Sequence, residues 1–251
     1  MLEWWTYRPS DFLMFAPRTY WRLFELHNTH WWPAPPLLVM AGGLGLATLW
    51  RHRAAAEPWL RGCAAALALA WAFSGWAFVA QRYTAINWAA EGLAWAFAVP
   101  ALTLALLALR PLGQLQTRQT LQTTALQATT PVRFRAGLLL MLWALVGHPL
   151  LAPALGRPLL QAEVWALTPD PTALATLGWL LLVQAGSRGT RWLVALAWVA
   201  AVAWCAVSAA TLWTMGSAQG WVMAVLALTV LALVMLAPSV LAPAAVGTVA
   251  Q

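Results

Sequence analysis

The stretch WLVALAWVAAVAWCAVSAATLW, residues 192–213, decides the structural class of this protein. It contains no charged side chain. A helix needs about 20 mostly apolar residues to cross the hydrocarbon core of a bilayer. The run is too long for a transmembrane barrel strand, and it lacks the period-two alternation that such a strand shows. The stretch therefore predicts a membrane-spanning α-helix.

The rest of the 251-residue chain has the same character, since 62% of it is hydrophobic and only 8% is charged. Soluble domains are about 45–50% apolar and about 25% charged. This composition excludes a soluble domain, a disordered chain and a disulfide-framework protein. The two cysteines, Cys63 and Cys205, each lie inside an apolar run, where a cysteine is typically a small buried hydrophobic residue.

Apolar runs of spanning length recur along the chain and predict an all-α, polytopic transmembrane helical bundle. The seven candidate spans are residues 34–50, 61–80, 88–109, 136–153, 171–186, 192–213 and 219–237. The predicted organisation is an N-terminal interfacial segment at 1–33, a seven-helix transmembrane domain at 34–237 with a polar cytoplasmic loop at 110–135, and a C-terminal tail at 238–251.

Arginine placement predicts the orientation of these spans. The connections 51–61, 110–135 and 187–191 hold nine arginines and lie on one side, whereas the other side holds five. Cytoplasmic loops carry the excess of positive charge. We therefore expect a multi-pass membrane protein with its N-terminus outside and its C-terminus in the cytoplasm.

The segment before the first span has helical periodicity in its apolar residues. Over residues 11–30, aromatic and leucine side chains recur near helical spacing, and Arg18, Arg22 and Glu25 lie between them. This pattern predicts an amphipathic helix on the outer leaflet, bracketed by Trp4–Trp5 and Trp31–Trp32 and interrupted at Pro17. The Gln- and Thr-rich stretch 114–130 predicts a solvated loop, partly helical or disordered.

Three stretches carry a resemblance to a known family. They are EWWTYRPSDFLMFAPRTYWRLFELHNTHWWPA (3–34), WAFSGWAFVAQRYTAINWAAEGLAWAF (71–97) and VGHPLLAPALGRPLLQAEVWALTPDPTALATLGWLLL (146–182), followed by SAATLWTMGS (208–217). Together they resemble a family of bacterial integral membrane proteins classed as a domain of unknown function, some of them labelled permease-like. Residues 169–178 are the most specific part, and Glu91 and the Gln/Thr-rich loop depart from the family pattern. The resemblance implies the fold and a location in the bacterial cytoplasmic (inner) membrane, and it implies no catalytic residues.

A few polar side chains next to the spans are candidate ligand-binding residues. Asp170 and Asn87 stand at the predicted starts of the fifth and third spans, where each is either a helix cap or a ligand. Glu91 lies about one turn inside the third span, where it either pairs with Arg82 and reaches water or couples proton movement. Tryptophans within the spans, Trp76 and Trp95 among them, pack in the bundle or line a pocket.

Three histidines fall on the predicted outer side: His27, His30 and His148. His27 and His30 are three residues apart and share a helix face. If His148 converges on them, the three could bind Zn or Cu, and a histidine with Met215 could bind haem. The alternative is that they are interfacial residues bonded to backbone or water.

The function predicted from these observations is non-enzymatic. The sequence has no Gly-rich phosphate loop, GxSxG or HExxH motif. We expect no cofactor and no nucleic-acid partner. The expected partners are the lipid bilayer and either another membrane protein or an apolar small molecule bound within the bilayer. Two alternatives stay open: a small-solute permease with Glu91 as the coupling group, and a haem- or metal-binding redox subunit.

Overall fold

The computed structural model describes residues 15–51, 56–114 and 124–236. The predictions for Trp4–Trp5, for the middle of the polar loop and for the tail at 238–251 lie outside these ranges.

The described residues are almost entirely helical. The α-helices are α1 (Pro17–His30), α2 (Ala34–Arg51), α3 (Ala56–Phe73), α4 (Ala90–Ala96), α5 (Ala98–Ala108), α6 (Thr124–Leu142), α7 (His148–Ala154), α8 (Pro169–Leu180), α9 (Arg188–Thr214) and α10 (Gln219–Leu236). A π-helical turn, Ser74–Ala80, extends α3, and a second one, Trp143–Gly147, joins α6 to α7. Short 3₁₀ turns cover Tyr83–Ala85 and Leu159–Gln161.

Four helical stretches are long and apolar enough to cross a membrane: Glu57–Ala85, Ala90–Ala108, Val132–Ala154 and Arg188–Thr214. Two further apolar helices, Ala34–Thr48 and Gln219–Met235, are shorter. The all-α membrane fold predicted from the sequence is therefore confirmed in its coarse form. The prediction of seven spans is not confirmed.

The predicted fifth span differs most from the structure. Helix α8 has only 12 residues, all of them buried, and at 1.5 Å per residue it is about 18 Å long. The hydrocarbon core is about 30 Å thick, so α8 alone is too short to cross it. After α8, strand β2 (Val183–Gln184) pairs antiparallel with strand β1 (Gly113–Gln114), which follows α5. This pairing holds the exit of α8 beside the exit of α5.

The helix α6 begins at Thr124, so the second half of the predicted 110–135 loop is helical, in agreement with the partly helical alternative for 114–130. One local boundary differs from the sequence prediction. Pro17 starts α1 and does not interrupt it, because the first helical turn needs no donor from that residue and the proline ring already has a helical φ.

Helices α6 and α8 approach each other very closely at a pair of glycines. A Cβ atom on Gly137 would lie 2.6 Å from the carbonyl oxygen of Gly178, and one on Gly178 would lie 2.8 Å from that of Gly137. Small residues allow such backbone contact between membrane helices. This contact fixes α8 in the centre of the bundle, with its N-terminal end next to a buried polar group of residues.

Candidate functional site

Three buried side chains converge at the N-terminal end of α8. His148 is the first residue of α7, Glu163 lies in the connection between α7 and α8, and Asp170 lies in the first turn of α8. One potential ligand atom from each residue lies within 4.8 Å of the other two. We call these three residues the polar site.

The connection before α8 is bent so that Glu163 points inward. Ala166 adopts a left-handed conformation with φ of 67°, and its backbone N–H donates to Thr172 Oγ1 at 3.1 Å. The Thr172 hydroxyl also donates to the carbonyl of Thr168, the residue just before α8. Proline at the first helical position then starts α8 sharply. Local turn chemistry therefore places Glu163 and Asp170 on the same side of the bend.

A chain of hydrogen bonds fixes Glu163. Its Oε2 lies 3.1 Å from His148 Nε2, and its Oε1 accepts from Gln219 Nε2 at 2.7 Å. The Gln219 Oε1 atom in turn accepts from Arg157 Nη2 at 2.6 Å. Gln219 begins α10, so the carboxylate links α7 to α10 through two side chains.

Helix α9 holds the second carboxyl group. Asp170 Oδ1 accepts from Trp204 Nε1 at 2.8 Å, and Oδ2 accepts from Ser208 Oγ at 2.5 Å. The N-cap of α8 is Thr168, and Asp170 makes its side-chain bonds to α9. The prediction that Asp170 caps the helix is therefore wrong, because a donor pair on α9 competes with the local amides.

The two carboxyl groups lie in different surroundings. Glu163 contacts the His148 imidazole and the Gln219 amide, and the Arg157 guanidinium lies directly behind Gln219. Asp170 accepts from the neutral donors Trp204 and Ser208. Positive charge therefore lies nearer to Glu163 than to Asp170.

Helix α1 covers the polar site. The Asn28 side-chain amide donates to the carbonyls of Leu160 and Ala162, both at 2.8 Å. The Arg157 guanidinium lies over the Trp21 ring, 3.4 Å from its centroid. The interfacial helix predicted from the sequence thus has one face packed on the bundle.

A very small cavity remains beside the two carboxyl groups. Its volume is about 10 Å³, which is about the space of one water-sized sphere. The polar lining comes from Glu163, Asp170, Ser208 and neighbouring hydroxyl groups. The remaining walls are largely aromatic and include Tyr20, Phe24, Phe78, Tyr83 and Trp204.

The structure separates the predicted histidines into different environments. Among the described residues, the group of potential metal ligands that includes His148 contains Glu163 and Asp170, and neither His27 nor His30 belongs to it. His27 is buried edge-on against Phe78, with ring centroids 5.4 Å apart. Burial and the charge of Arg82 lower the pKa of His27 to about 4, and neither ring nitrogen has a hydrogen-bond partner among the described residues. His30 is exposed next to Trp31.

The other predicted ligand residues lie away from the polar site. Glu91 is exposed in the first turn of α4. Within the described ranges, no ion pair joins Glu91 to Arg82. Asn87 Oδ1 accepts from the Ala89 amide at 3.0 Å, so it stabilises the turn that precedes α4. These observations give Glu91 no coupling partner.

The two tryptophans proposed from the sequence as pocket residues face outward. Trp76 is 55% exposed and Trp95 is 77% exposed. Two other tryptophans, Trp59 and Trp165, line an interior space.

That space is a second candidate site, which we call the apolar cavity. It has a volume of about 340 Å³ and lies between α2, α3, the α6–α7 span and α8. Ligand pockets in proteins have volumes of about 300–1,000 Å³ and mostly apolar walls. The lining residues are Ala41, Gly42, Gly45, Leu46, Trp59, Gly62, Cys63, Ala66, Leu67, Met141, Leu145, Trp165 and Ala175.

Sequence reasoning missed Glu163, Gln219 and Arg157 as site residues. A signal for the first was present, because Glu163 and Asp170 are the only acidic residues after Glu91. An isolated pair of acids between apolar runs is itself unusual in a membrane protein. Arg157 was counted only for its effect on orientation, and nothing near Gln219 in the sequence indicates a partner.

No protein-family model, curated protein or solved structure matches this chain. The family resemblance drawn from the sequence therefore stays a prediction, and the functional argument depends on the two sites described above.

Proposed function

We propose that this protein is a non-enzymatic membrane protein that binds the hydrocarbon chain of an apolar molecule in the apolar cavity. The observation that carries the proposal is the cavity itself. Its volume of about 340 Å³ is within the range of ligand pockets, and its walls come from apolar helices of the bundle.

The chemistry of the walls favours a hydrocarbon ligand. The indole N–H of Trp59 already donates to the carbonyl of Gly45 at 3.1 Å. Cys63 contributes a thiol, which is a weak hydrogen-bonding group. The indole N–H of Trp165 is the remaining polar group of the lining side chains. A ligand with several polar groups inside the cavity would therefore leave most of them without a strong partner, at a cost of about 1–3 kcal/mol each. An acyl or isoprenoid chain has no such cost.

Glycines create the space. A Cβ atom on Gly45 or Gly62 would meet no heavy atom within 4 Å. A Cβ atom on Gly42 would lie 2.6 Å from Leu145 Cδ1. Helix α2 therefore touches the bundle at Gly42 and leaves a gap beside Gly45 and Gly62, which is the geometry of a slot between helices.

The proposal places the chain in the bacterial cytoplasmic membrane with its N-terminus outside. The arginine distribution and the family resemblance support this placement. The proposal also counts α8, together with the bent connection before it, as one passage through the bilayer. The β1–β2 pairing supports that count, because it sets the exits of α5 and α8 side by side.

Leucine substitutions at the open glycines test the proposal. A photoactivatable fatty acid, added to the purified protein, should label residues of the cavity wall in the wild type. Gly62→Leu and Gly45→Leu should reduce the affinity for this probe at least about tenfold, because excluding two methylenes costs about 1.6 kcal/mol. Gly43→Leu is the matched control, since Gly43 also has open space for a side chain but does not line the cavity.

The readout is peptide mapping of the labelled sites together with native mass spectrometry of co-purified lipid. Equal labelling in the wild type, the two filled variants and the control would mean that the probe samples the outer surface, and the proposal would be wrong.

A further inference from the structure

We propose that His148, Glu163 and Asp170 bind one divalent transition-metal ion, such as Zn²⁺, beneath α1. This site is separate from the apolar cavity, and the inference does not depend on the proposed binding of a hydrocarbon chain.

The donor set fits such an ion. One imidazole and two carboxylates, supplied by three separate segments, bring their ligand atoms within 4.8 Å of one another. Zinc binds imidazole nitrogen and carboxylate oxygen at about 2.0–2.2 Å, and tetrahedral bonds of that length place neighbouring ligand atoms about 3.4 Å apart. Small rotations of the three side chains would bring the ligand atoms from separations of up to 4.8 Å to about 3.4 Å. A mixed nitrogen and oxygen set favours a transition metal over Na⁺ or K⁺.

The charges at the site also favour a cation. Asp170 contacts the neutral donors Trp204 and Ser208. Glu163 contacts Gln219 and His148, and the histidine has no fixed charge. The nearest guanidinium, that of Arg157, donates to Gln219 and to the carbonyl of Gln161, and it makes no ion pair within 4 Å to either carboxylate of the polar site.

Buried carboxylates are costly unless they are paired with cations or coordinate a metal. A divalent ion between Glu163 and Asp170 would neutralise both. Arg157 donates to Gln219 Oε1 and so does not occupy the carboxylate oxygen atoms that the ion would bind.

The cavity beside Glu163 and Asp170 limits the size of the ligand. Its volume is about 10 Å³, which has room for one ion or one water molecule and for no organic molecule, and its lining does not include His148. His148 faces Glu163 through Nε2, and its other ring nitrogen, Nδ1, is buried without a hydrogen-bond partner among the described residues. An ion bound by all three residues would therefore lie between this cavity and His148 Nε2.

Supporting residues hold the ligands in place. Trp204 and Ser208 orient Asp170, and Gln219 orients Glu163. Such outer partners typically contribute 10–100-fold to metal affinity. Five segments meet at this point, since α7, the bent connection, α8, α9 and α10 each supply a ligand or a supporting side chain. A bound ion would tie them together.

Metal binding to the purified, chelator-treated protein tests the inference. We expect one equivalent of Zn²⁺ by calorimetry. Co²⁺ bound in place of Zn²⁺ should give the visible absorption band of a four-coordinate cobalt site. His148→Gln, Glu163→Gln and Asp170→Asn should each weaken binding at least tenfold and remove the band. Trp204→Phe keeps all three ligands and should weaken binding about tenfold.

The controls separate this site from other histidines and acids. His30→Gln and Glu91→Gln change exposed residues outside the polar site and should bind Co²⁺ as the wild type does. Gly62→Leu, which fills the apolar cavity, should also retain full metal binding, so a failure of one proposal is distinguishable from a failure of the other.

Three results would overturn the inference. One is a wild-type protein that shows no Co²⁺ band and retains no Zn²⁺. Another is binding that survives His148→Gln and Glu163→Gln. The third is binding that disappears in His30→Gln. The first of these results is measured on the wild-type protein alone. The proposal can therefore be overturned even if a variant fails to fold.

Discussion

The polar site and the apolar cavity are built in opposite ways, although both adjoin α8 and the residues before it. The polar site depends on the presence of particular side chains: Glu163 and Asp170 each bond to partners on other helices. The apolar cavity depends on the absence of side chains at Gly45 and Gly62. The polar site is therefore sensitive to the loss of any one of its side chains, whereas the apolar cavity changes only when a larger side chain replaces a glycine.

This difference has an energetic counterpart. Removing one partner from a buried hydrogen-bonded network leaves the remaining groups unsatisfied, at about 1–3 kcal/mol for each neutral group and more for a charged one. Adding a methyl group where space is open costs little and removes the conformational penalty of a helical glycine. The comparison between the two regions can therefore be tested by substitutions of matched chemistry.

The largest expected effect is the loss of the Glu163 carboxylate. In Glu163→Ala, the His148 ring, the Gln219 amide and the Arg157 charge behind it all lose a partner. We expect the free energy of unfolding to fall by about 3–5 kcal/mol, measured by denaturant unfolding in detergent. Glu57→Ala, which removes an exposed acid from the first turn of α3, should cost less than about 1 kcal/mol. Similar losses in both variants would mean that the network is not cooperative.

A second pair of variants makes the same glycine-to-alanine substitution where the surrounding space is filled, at Gly137, and where it is open, at Gly62. Gly137→Ala would place a methyl group 2.6 Å from the Gly178 carbonyl, and such overpacking costs about 1–3 kcal/mol. Gly62→Ala should stabilise the protein by up to about 1 kcal/mol, because alanine is the better helix former. Thermal unfolding of the two proteins provides the measurement. A stabilised Gly137→Ala protein would contradict the close contact of α6 and α8.

The third prediction concerns pH and the covering helix α1. Because the pKa of His27 is lowered to about 4, the unfolded chain binds a proton below about pH 6.5 before the folded protein does. Stability is therefore unaffected above pH 6.5 and falls as the pH decreases from 6.5 toward 4. At pH 5.5 the loss attributable to His27 should be on the order of 1 kcal/mol.

His27→Phe is the matched variant for this measurement, since it keeps an aromatic ring against Phe78. The wild type should lose on the order of 1 kcal/mol more than His27→Phe between pH 7.5 and pH 5.5, and the comparison cancels contributions from other titrating groups. Parallel pH profiles would show that His27 does not stay neutral in the folded protein.

The smallest expected effect is on the outer side of α1. Arg22 and Glu25 form an exposed ion pair three residues apart, and such pairs contribute about 0.2–0.5 kcal/mol. Arg22→Ala should therefore reduce the free energy of unfolding by no more than about that amount, and the reduction should shrink at high salt. A loss above 1 kcal/mol would indicate that Arg22 supports the cover over the polar site through contacts other than Glu25.

The sequence was sufficient for the parts of this fold that depend on local pattern. Apolar runs such as 192–213 predict α9 closely, and the periodic aromatic residues of 11–30 predict the helix α1. Both follow from hydropathy and helical spacing, which are properties of neighbouring residues.

The parts that depend on distant contacts were not predictable in the same way. Helix α8 ends at Leu180, before the predicted end at residue 186, and the chain then pairs Val183–Gln184 with Gly113–Gln114. This pairing joins residues about 70 positions apart and does not appear in a hydropathy profile. The polar site joins residues 148, 163 and 170 to Gln219, which is 56 residues further along the chain than Glu163. The sequence indicates His148 and Asp170 as separate candidates. The structure shows that they belong to one site and that Glu163 is its third member.

The π-helical turn Trp143–Gly147 divides one membrane helix into two registers. A π-turn holds one more residue than the α-helical turn it replaces, so deleting Val146 would convert it to an ordinary turn. The residues beyond it would then keep nearly the orientation that they have now, because the π-turn holds its extra residue within a single turn. Deleting a residue of the regular helix between Gly137 and the π-turn, such as Leu139, would instead rotate every later residue by about 100° relative to Gly137 and carry the His148 ring away from Glu163. The π-turn thus marks the position at which this helix tolerates a change in length.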